Sequence, residues 1–159
     1  MFQYTEEDSR PILALRHLKI KAGEKIAILG RNGAGKSTLL QLLAGMQSPS
    51  NGSVHLDGLD ISLIDPADVR RDMALLNQNA HLFYGTIREN LTLGAPLAKD
   101  NDILKALKVT GALGFVQEKK EGLDHLVLEG GVGFSGGQKQ ALLLARLLIR
   151  QPNILLLDE

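Results

Sequence analysis

Apolar residues recur along this chain in short runs, and the runs predict alternating strands and helices. The run from Lys25 to Gly30 is mostly apolar and stops at a glycine, which is typical of a buried strand. Good helix formers follow from Lys36 to Ala44, and Gly45 is a suitable residue to end that helix. The turn dipeptides Asn51-Gly52 and Asp57-Gly58 enclose a short alternating stretch, so we expect a hairpin there.

The middle of the chain continues this alternation and then becomes helical. Asp65 and Pro66 place a capping side chain before a proline at the first helical position, which predicts a short helix. Met73 to Asn77 is predicted to be the next strand. A helical insert is expected from about Thr86 to Thr110, and a glycine-rich stretch leads into an apolar helix from about Gly137 to Ile149.

Two adjacent carboxylates follow the last predicted strand. That strand covers Ile154 to Leu157, and Asp158 and Glu159 come next. The elements together predict an α/β fold, in which ligands bind at the carboxyl ends of strands. A rigidly held Asp158 is a candidate metal ligand, and Glu159 is a candidate base for an attacking water. The alternative is two solvated acidic residues at a frayed terminus.

Composition narrows the classes of function. The 159 residues and 44% hydrophobic content suit one domain with a real core. Because the formal net charge is +0, the chain as a whole does not attract nucleic acid, and no nucleic-acid partner is expected. Any site for an anion must therefore be formed by a local group of residues. Cysteine is absent, which excludes disulfides and thiolate metal sites. No apolar run approaches the roughly 20 residues that span a bilayer.

The histidines and the lysine pair do not indicate a metal site or a nucleic-acid site. The four histidines are scattered along the chain, so we expect surface or turn positions for them rather than metal ligation. They are His17, His55, His81 and His125. The pair Lys119-Lys120 lies between acidic residues and is expected to be a solvated charged turn.

A phosphate-binding pattern, G-x-x-x-x-G-K-[ST], lies between the first predicted strand and helix. Its glycines let backbone N–H groups turn toward phosphate oxygens at the helix start. Lys36 adds a charge for the β and γ phosphates of ATP, and the hydroxyl of Ser37 is a hard ligand for Mg²⁺. The alternative is a glycine-rich turn that enters a helix by chance. The candidate residues are Gly30, Arg31, Asn32, Gly33, Ala34, Gly35, Lys36, Ser37 and Thr38.

A second glycine loop opens the last predicted helix. Its hydroxyl, its backbone N–H groups and the helix dipole make it another candidate anion site. An ordinary glycine-rich turn is the alternative. The residues of this loop are Phe134, Ser135, Gly136, Gly137 and Gln138.

The order of these motifs resembles the nucleotide-binding domain of ABC transporters over essentially the whole chain. The resemblance implies a P-loop NTPase fold with a RecA-like core, residues 1–85 and 138–159, and a helical subdomain, residues 86–137. Gln78 is then similar to the glutamine that contacts Mg²⁺ and water. Ser135 and its glycines are similar to signature residues that cap ATP across a dimer of such domains. Tyr4 looks like the aromatic residue that stacks on adenine, although it is equally a tyrosine packed against the fold.

Finer features resemble the exporter branch. The segments Asp65 to Arg70 and Leu93 to Leu97 look most like those of type I secretion ATPases, which move RTX toxins or adhesins. Leu82 to Leu91 and Val127 to Glu129 lie where exporters face their transmembrane domains. The chain has Leu128 where that pattern has glycine, and Phe134 where it usually has leucine. The resemblance implies partners that include transmembrane domains, on the same or another chain, and an exported protein or peptide. It also implies a position at the cytoplasmic face of the inner (plasma) membrane.

The family continues past the acidic pair with a further loop, a strand and a histidine that contacts the γ-phosphate. Because these are absent, we expect the sequence to be a fragment truncated after its acidic strand end. Such a fragment is expected to hydrolyse ATP weakly or not at all. Two alternatives to the transport ATPase stay open. They are a catalytically incompetent nucleotide-binding fragment and a soluble ABC ATPase without transport.

Overall fold

A computed structural model describes residues 12–158, so Tyr4 and Glu159 lie outside the described residues. The strands pair two by two, as β1 with β2, β3 with β6 and β4 with β5. In chain order the elements are α1 (Lys36–Leu43), β1 (His55–Leu56), β2 (Leu59–Asp60), α2 (Pro66–Asp72), β3 (Met73–Leu76), β4 (Gly85–Thr86), α3 (Ile87–Thr92), α4 (Asp100–Val109), α5 (Leu113–Gln117), β5 (Leu126–Val127), α6 (Gly136–Leu148) and β6 (Ile154–Leu157).

The chain divides into two compact units. Of the described residues, the first unit holds 12–75 together with Leu156–Asp158, and the second holds Leu76–Leu155. This division reflects which residues pack against each other. The subdomain boundaries 1–85, 86–137 and 138–159 rest on the resemblance and stay a prediction.

Local sequence signals explain the hairpin and α2 in the first unit. β1 and β2 are antiparallel, with His55 opposite Asp60. Asp57 and Gly58 join them with φ values of 50° and 85°, the left-handed conformation that a tight hairpin turn requires. The carboxylate of Asp65 accepts a 2.7 Å hydrogen bond from the backbone N–H of Ala67 and caps α2. The predicted hairpin and short helix are therefore confirmed.

The second unit is built around α6, which packs against α3 and α4. The largest fully buried side chains of this unit are Leu82, Ile87, Leu91, Ile103, Leu107, Val127 and Leu142. Burial of each such aliphatic side chain is worth about 1.5–3 kcal/mol. At the start of α3, Thr86 and Glu89 form a reciprocal capping box. The predicted helical insert and the apolar helix from about Gly137 are confirmed.

The prediction of a buried strand from Lys25 to Gly30 was wrong. This segment is neither helix nor strand, and its side chains are exposed, with Leu29 at 92% exposure. An apolar run becomes a strand only where a neighbour completes its hydrogen-bond ladder, and no described strand is paired with this segment. The phosphate loop therefore follows an irregular segment rather than a strand.

The other predicted strands are formed, at Met73–Leu76 and Ile154–Leu157. Between residues 12 and 158, no helix has both the length and the apolar character needed to cross a membrane.

Candidate nucleotide site

The phosphate loop turns into α1 at Gly35. Gly33 and Gly35 have φ values of 80° and 81°, in the left-handed region that favours glycine. A Cβ atom on Gly35 would also lie 3.1 Å from the backbone oxygen of Ile12. Residues 30–34 are exposed, and the first turn of α1 carries no acidic side chain. The exposed loop thus leads into the buried N-cap Gly35 and the partly exposed first residues of α1, where the helix dipole favours an anion.

Lys36 lies against the loop that precedes it. Its ammonium donates hydrogen bonds to the backbone oxygens of Gly30, at 3.0 Å, and Arg31, at 3.1 Å. These bonds hold a positive charge beside the exposed backbone of the loop. A compact ammonium on a flexible stem can exchange carbonyl partners for phosphate oxygens. The arrangement fits a phosphate group chemically.

Ser37 and Asp158 meet in the first unit. The hydroxyl of Ser37 donates a 3.0 Å hydrogen bond to Oδ1 of Asp158, in a partly buried position. An octahedral Mg²⁺ with ligands at about 2.1 Å separates adjacent ligand atoms by about 3.0 Å. The two oxygens therefore fit neighbouring positions around Mg²⁺ or hydrogen-bonded positions beside it. Among residues 12–158 there is no group of three or more histidine, cysteine or acidic side chains that could hold a metal alone.

Two further predicted site residues, Gln78 and Ser135, belong to the second unit. Gln78 lies exposed in the turn after β3. Ser135 caps α6 through a box in which its hydroxyl accepts from the N–H of Gln138 at 3.3 Å, and the amide oxygen of Gln138 accepts from the N–H of Ser135 at 3.0 Å. The second glycine loop is therefore an ordered helix start.

The glycines just before the second loop and those within it differ in whether the backbone requires glycine. Gly131 and Gly133 have φ values of 69° and 95°, so the backbone requires glycine there. A Cβ atom on Gly136 or Gly137 would meet no heavy atom within 4 Å. Packing within the described chain therefore does not require glycine at these two exposed positions, which leave room for an approaching group.

Phe134, which precedes Ser135, is buried in a small aromatic cluster. Its ring lies 6.2 Å from that of Phe115 and 6.1 Å from that of His125, with both pairs edge-on. The ammonium of Lys119 lies 5.1 Å from its centroid. The predicted charged turn at Lys119 and Lys120 is formed, with Lys120 exposed and Lys119 half-buried beside the Phe134 ring.

Histidine positions agree with the expectation for three of the four residues. His17, His55 and His81 are exposed, while His125 is half-buried and bonds Glu121 at 3.1 Å. This contact lowers the pKa of the Glu121 carboxyl. The role of His125 beside Phe134 was missed because no periodic pattern joins the two residues.

Sequence reasoning also missed Asn90 and Arg146. Asn90 is only 3% exposed, and the guanidinium of Arg146 bonds to it from α6. The available signal was a polar residue on the apolar face of a short helix, since such a side chain needs buried hydrogen-bond partners.

Comparison with known proteins places this geometry in context. A family model described as "ABC transporter" matches residues 15–159. The chain is 42% identical over 160 residues to the ABC-type transporter fsqE of Aspergillus fumigatus, with 99% of the chain and 12% of the relative covered. It is also 42% identical to the leukotoxin translocation ATP-binding protein LktB of Mannheimia glucosida, with 99% and 22% covered.

A solved structure is similar as well. It is described as a bacterial Atm1-family ABC exporter with ATP bound, and the match has a TM-score of 0.92, 35% identity, and covers 99% of this chain and 27% of that one. The chain thus spans from about an eighth to about a quarter of the length of these relatives.

Proposed function

Because the chain belongs to the ABC transporter family, we propose that it is the ATP-binding part of an exporter and energises transport of a protein or peptide. It has the ABC ATPase P-loop fold of an exporter domain. The observation that carries the proposal is the meeting of Ser37 with Asp158 in the unit that also holds Lys36 and the glycine loop. These are the charges and hard oxygens that a nucleotide with Mg²⁺ needs.

The proposed roles of the residues follow from their chemistry. The loop from Gly30 to Thr38 wraps the phosphates with backbone N–H groups, and Lys36 neutralises their β and γ oxygens. Ser37 and Asp158 would hold Mg²⁺, which would offset phosphate charge. By the resemblance, Gln78 would contact that ion and orient water, and Glu159 would accept the proton of that water. Tyr4 would stack on the adenine.

We propose that the second loop acts on the nucleotide of another copy. Ser135, Gly136, Gly137 and Gln138 form an exposed helix start whose dipole favours phosphate. Open space beside Gly136 and Gly137 supports close approach of a ligand backbone or phosphate. Two such chains would then share two nucleotides between them.

The transmembrane partners are proposed to meet the second unit. Phe83 is 40% exposed and Tyr84 67% exposed, and Leu128 also faces solvent. Apolar surface of this kind favours protein contact. The name of the LktB relative, a leukotoxin translocation protein, supports a protein substrate. The domain would then act at the cytoplasmic face of the inner (plasma) membrane.

The test of this proposal is nucleotide-dependent pairing, measured by sedimentation velocity. We expect ATP with Mg²⁺ to move the chain toward a dimer, and Ser135→Arg to abolish the shift because a bulky cation fills the helix start. Ser53→Arg is the control, because Ser53 is an exposed serine of the first unit. Pairing that ignores ATP, or an equal shift in Ser135→Arg, would refute the proposal.

A further inference from the structure

Arg146 lies in the last turn of α6, the helix whose N-cap is Ser135, and the Arg146 side chain is half-buried. Its guanidinium donates to the backbone oxygen of Asn90 at 2.7 Å and to the side-chain oxygen of Asn90 at 2.8 Å. It also donates to the backbone oxygen of His81 at 3.1 Å. Among residues 12–158, no carboxylate forms an ion pair with it. A half-buried cation is thus satisfied by amide oxygens.

Asn90 also forms hydrogen bonds with the segment His81–Tyr84, named here the 81–84 loop, and so connects Arg146 to that loop. Its side-chain oxygen accepts from the N–H of Phe83 at 2.9 Å, while its side-chain NH₂ donates to the backbone oxygen of Phe83 at 2.8 Å. The same NH₂ also donates to the backbone oxygen of Thr86 at 3.1 Å. The polar atoms of the buried Asn90 side chain are therefore fully used.

The 81–84 loop is held on a second side as well. The N–H of Gly130 donates to the backbone oxygen of Leu82 at 2.9 Å, and the N–H of Tyr84 donates to the carboxylate of Glu129 at 3.3 Å. The backbone of the loop is thus fixed while the rings of Phe83 and Tyr84 stay exposed. The guanidinium of Arg146 also lies 5.3 Å from the centre of the Phe83 ring.

Burial lowers the pKa of the Arg146 guanidinium, which nevertheless keeps its charge at neutral pH. A charged fork that fits three oxygens has a geometry that a lysine ammonium cannot reproduce. This side chain joins α6 to the loop across a large separation in sequence, since Arg146 and Asn90 are 56 positions apart.

We propose that Arg146 is a positioning residue, which fixes the 81–84 loop to α6 both directly at His81 and, at Phe83, through Asn90. A shift of the helix that carries Ser135 is then transmitted to the exposed rings of Phe83 and Tyr84. The use of this link in export rests on the proposed function. The link itself is independent of nucleotide, so its test separates the two.

The experiment is amide hydrogen exchange of the whole chain without nucleotide. Arg146→Met keeps an unbranched side chain of similar length and removes the guanidinium group. We expect the amides of Phe83 and Tyr84 to exchange about tenfold faster or more, because a bond to a charged group is lost. The amides of Leu142 and Leu143 inside α6 should stay within about twofold of wild type.

Two further variants define the pathway. Arg146→Lys should rescue part of the protection, because an ammonium reaches only some of the oxygens. In an Asn90→Ala background, where Phe83 has already lost its partner, adding Arg146→Met should change the exchange of the Phe83 amide little. A full independent effect in that background would overturn the proposed route through Asn90.

The control is Arg88→Met. Arg88 lies on α3 and also bonds two groups, but these are the exposed carboxylates of Asp100 and Asp124. The 81–84 amides should exchange at wild-type rates in this variant. Wild-type rates in Arg146→Met, or an equal acceleration throughout α6, would overturn the proposal. If Arg146→Met does not fold, faster exchange confined to the loop in Arg146→Lys supports it, and unchanged exchange there overturns it.

Discussion

The hydroxyl of Ser37 donates a 3.0 Å hydrogen bond to the carboxylate of Asp158, which lies 121 positions later in the chain. The contact joins the first turn of α1 to the end of β6. It thereby places a carboxylate at the phosphate loop without any nearby acidic residue in α1 itself. This pairing supports the proposal that the phosphate loop holds a divalent ion as well as an anion.

Asp158→Asn tests whether this carboxylate serves Mg²⁺. The amide keeps the shape of the side chain and one oxygen but removes the charge that attracts a divalent ion. We expect the affinity for ATP in Mg²⁺ to fall about tenfold, which is about 1.4 kcal/mol. Binding of ATP in the presence of a chelator should change little. Isothermal titration calorimetry under both conditions gives the comparison, and an equal loss in both would assign Asp158 a structural role only.

Gly35→Ala tests the backbone of the phosphate loop. Alanine in the left-handed conformation costs about 1–2 kcal/mol, and its Cβ would crowd the oxygen of Ile12. The variant should therefore lower the free energy of unfolding, measured with urea, by at least about 1 kcal/mol.

Gly136→Ala is the matched comparison for that substitution. Gly136 is the first residue of α6 and has open space around its Cβ position, so alanine should raise the free energy of unfolding slightly, by less than the roughly 0.5–1 kcal/mol of a mid-helix position. If both variants change stability in the same direction, the two glycines do not differ in the way that the backbone geometry indicates.

Asp65→Ala tests the start of α2. Loss of the carboxylate leaves the N–H of Ala67 without its cap, and we expect a loss of about 1 kcal/mol in the free energy of unfolding. Asp65→Asn should retain most of the stability, because asparagine caps helices equally well. A similar loss in both variants would point to charge rather than capping.

Glu89→Gln tests the pH dependence of the second unit. The N–H and the hydroxyl of Thr86 lower the pKa of the Glu89 carboxyl below its ordinary value of 4.5. Because the folded pKa is the lower one, the stabilisation is present above the unfolded value and is lost as pH falls through the folded value. The free energy of unfolding should thus fall on acidification below about pH 5, and less steeply in Glu89→Gln.

Denaturation series between pH 3 and 7 measure that slope. Glu118→Gln is the control, because the Glu118 side chain takes no part in the capping box. An unchanged acid slope in Glu89→Gln would show that the capping box contributes nothing to the acid sensitivity.

Local chemistry predicted much of the fold, and long-range contacts account for the rest. The cap at Asp65 and the turn at Asp57-Gly58 depend on adjacent residues, so the sequence indicated both correctly. The strand prediction for Lys25 to Gly30 was wrong because an apolar pattern does not show whether a neighbouring strand is available to pair with the segment. The contact of Arg146 with Asn90 was equally hidden, since no period joins α6 to α3.

In the candidate site, too, local features were predicted from the sequence and long-range contacts were harder to predict. The glycine spacing and Lys36 predicted a phosphate loop from one short segment. The nearness of Asp158 to the phosphate loop was expected because ligands bind at the carboxyl ends of strands in α/β folds, and Asp158 follows the last strand. The aromatic cluster around Phe134 was not predicted. Side chains that meet across the fold leave no local signal.

Calorimetric titration of the chain with ATP in Mg²⁺ tests the central claim, that the loop from Gly30 to Ser37 binds nucleotide. Lys36→Ala should weaken binding at least about tenfold at every pH tested, because it removes a charge from the phosphates. Lys105→Ala, an equal change of charge on α4, should bind as wild type does. Equal ATP affinity in wild type and Lys36→Ala would contradict the account.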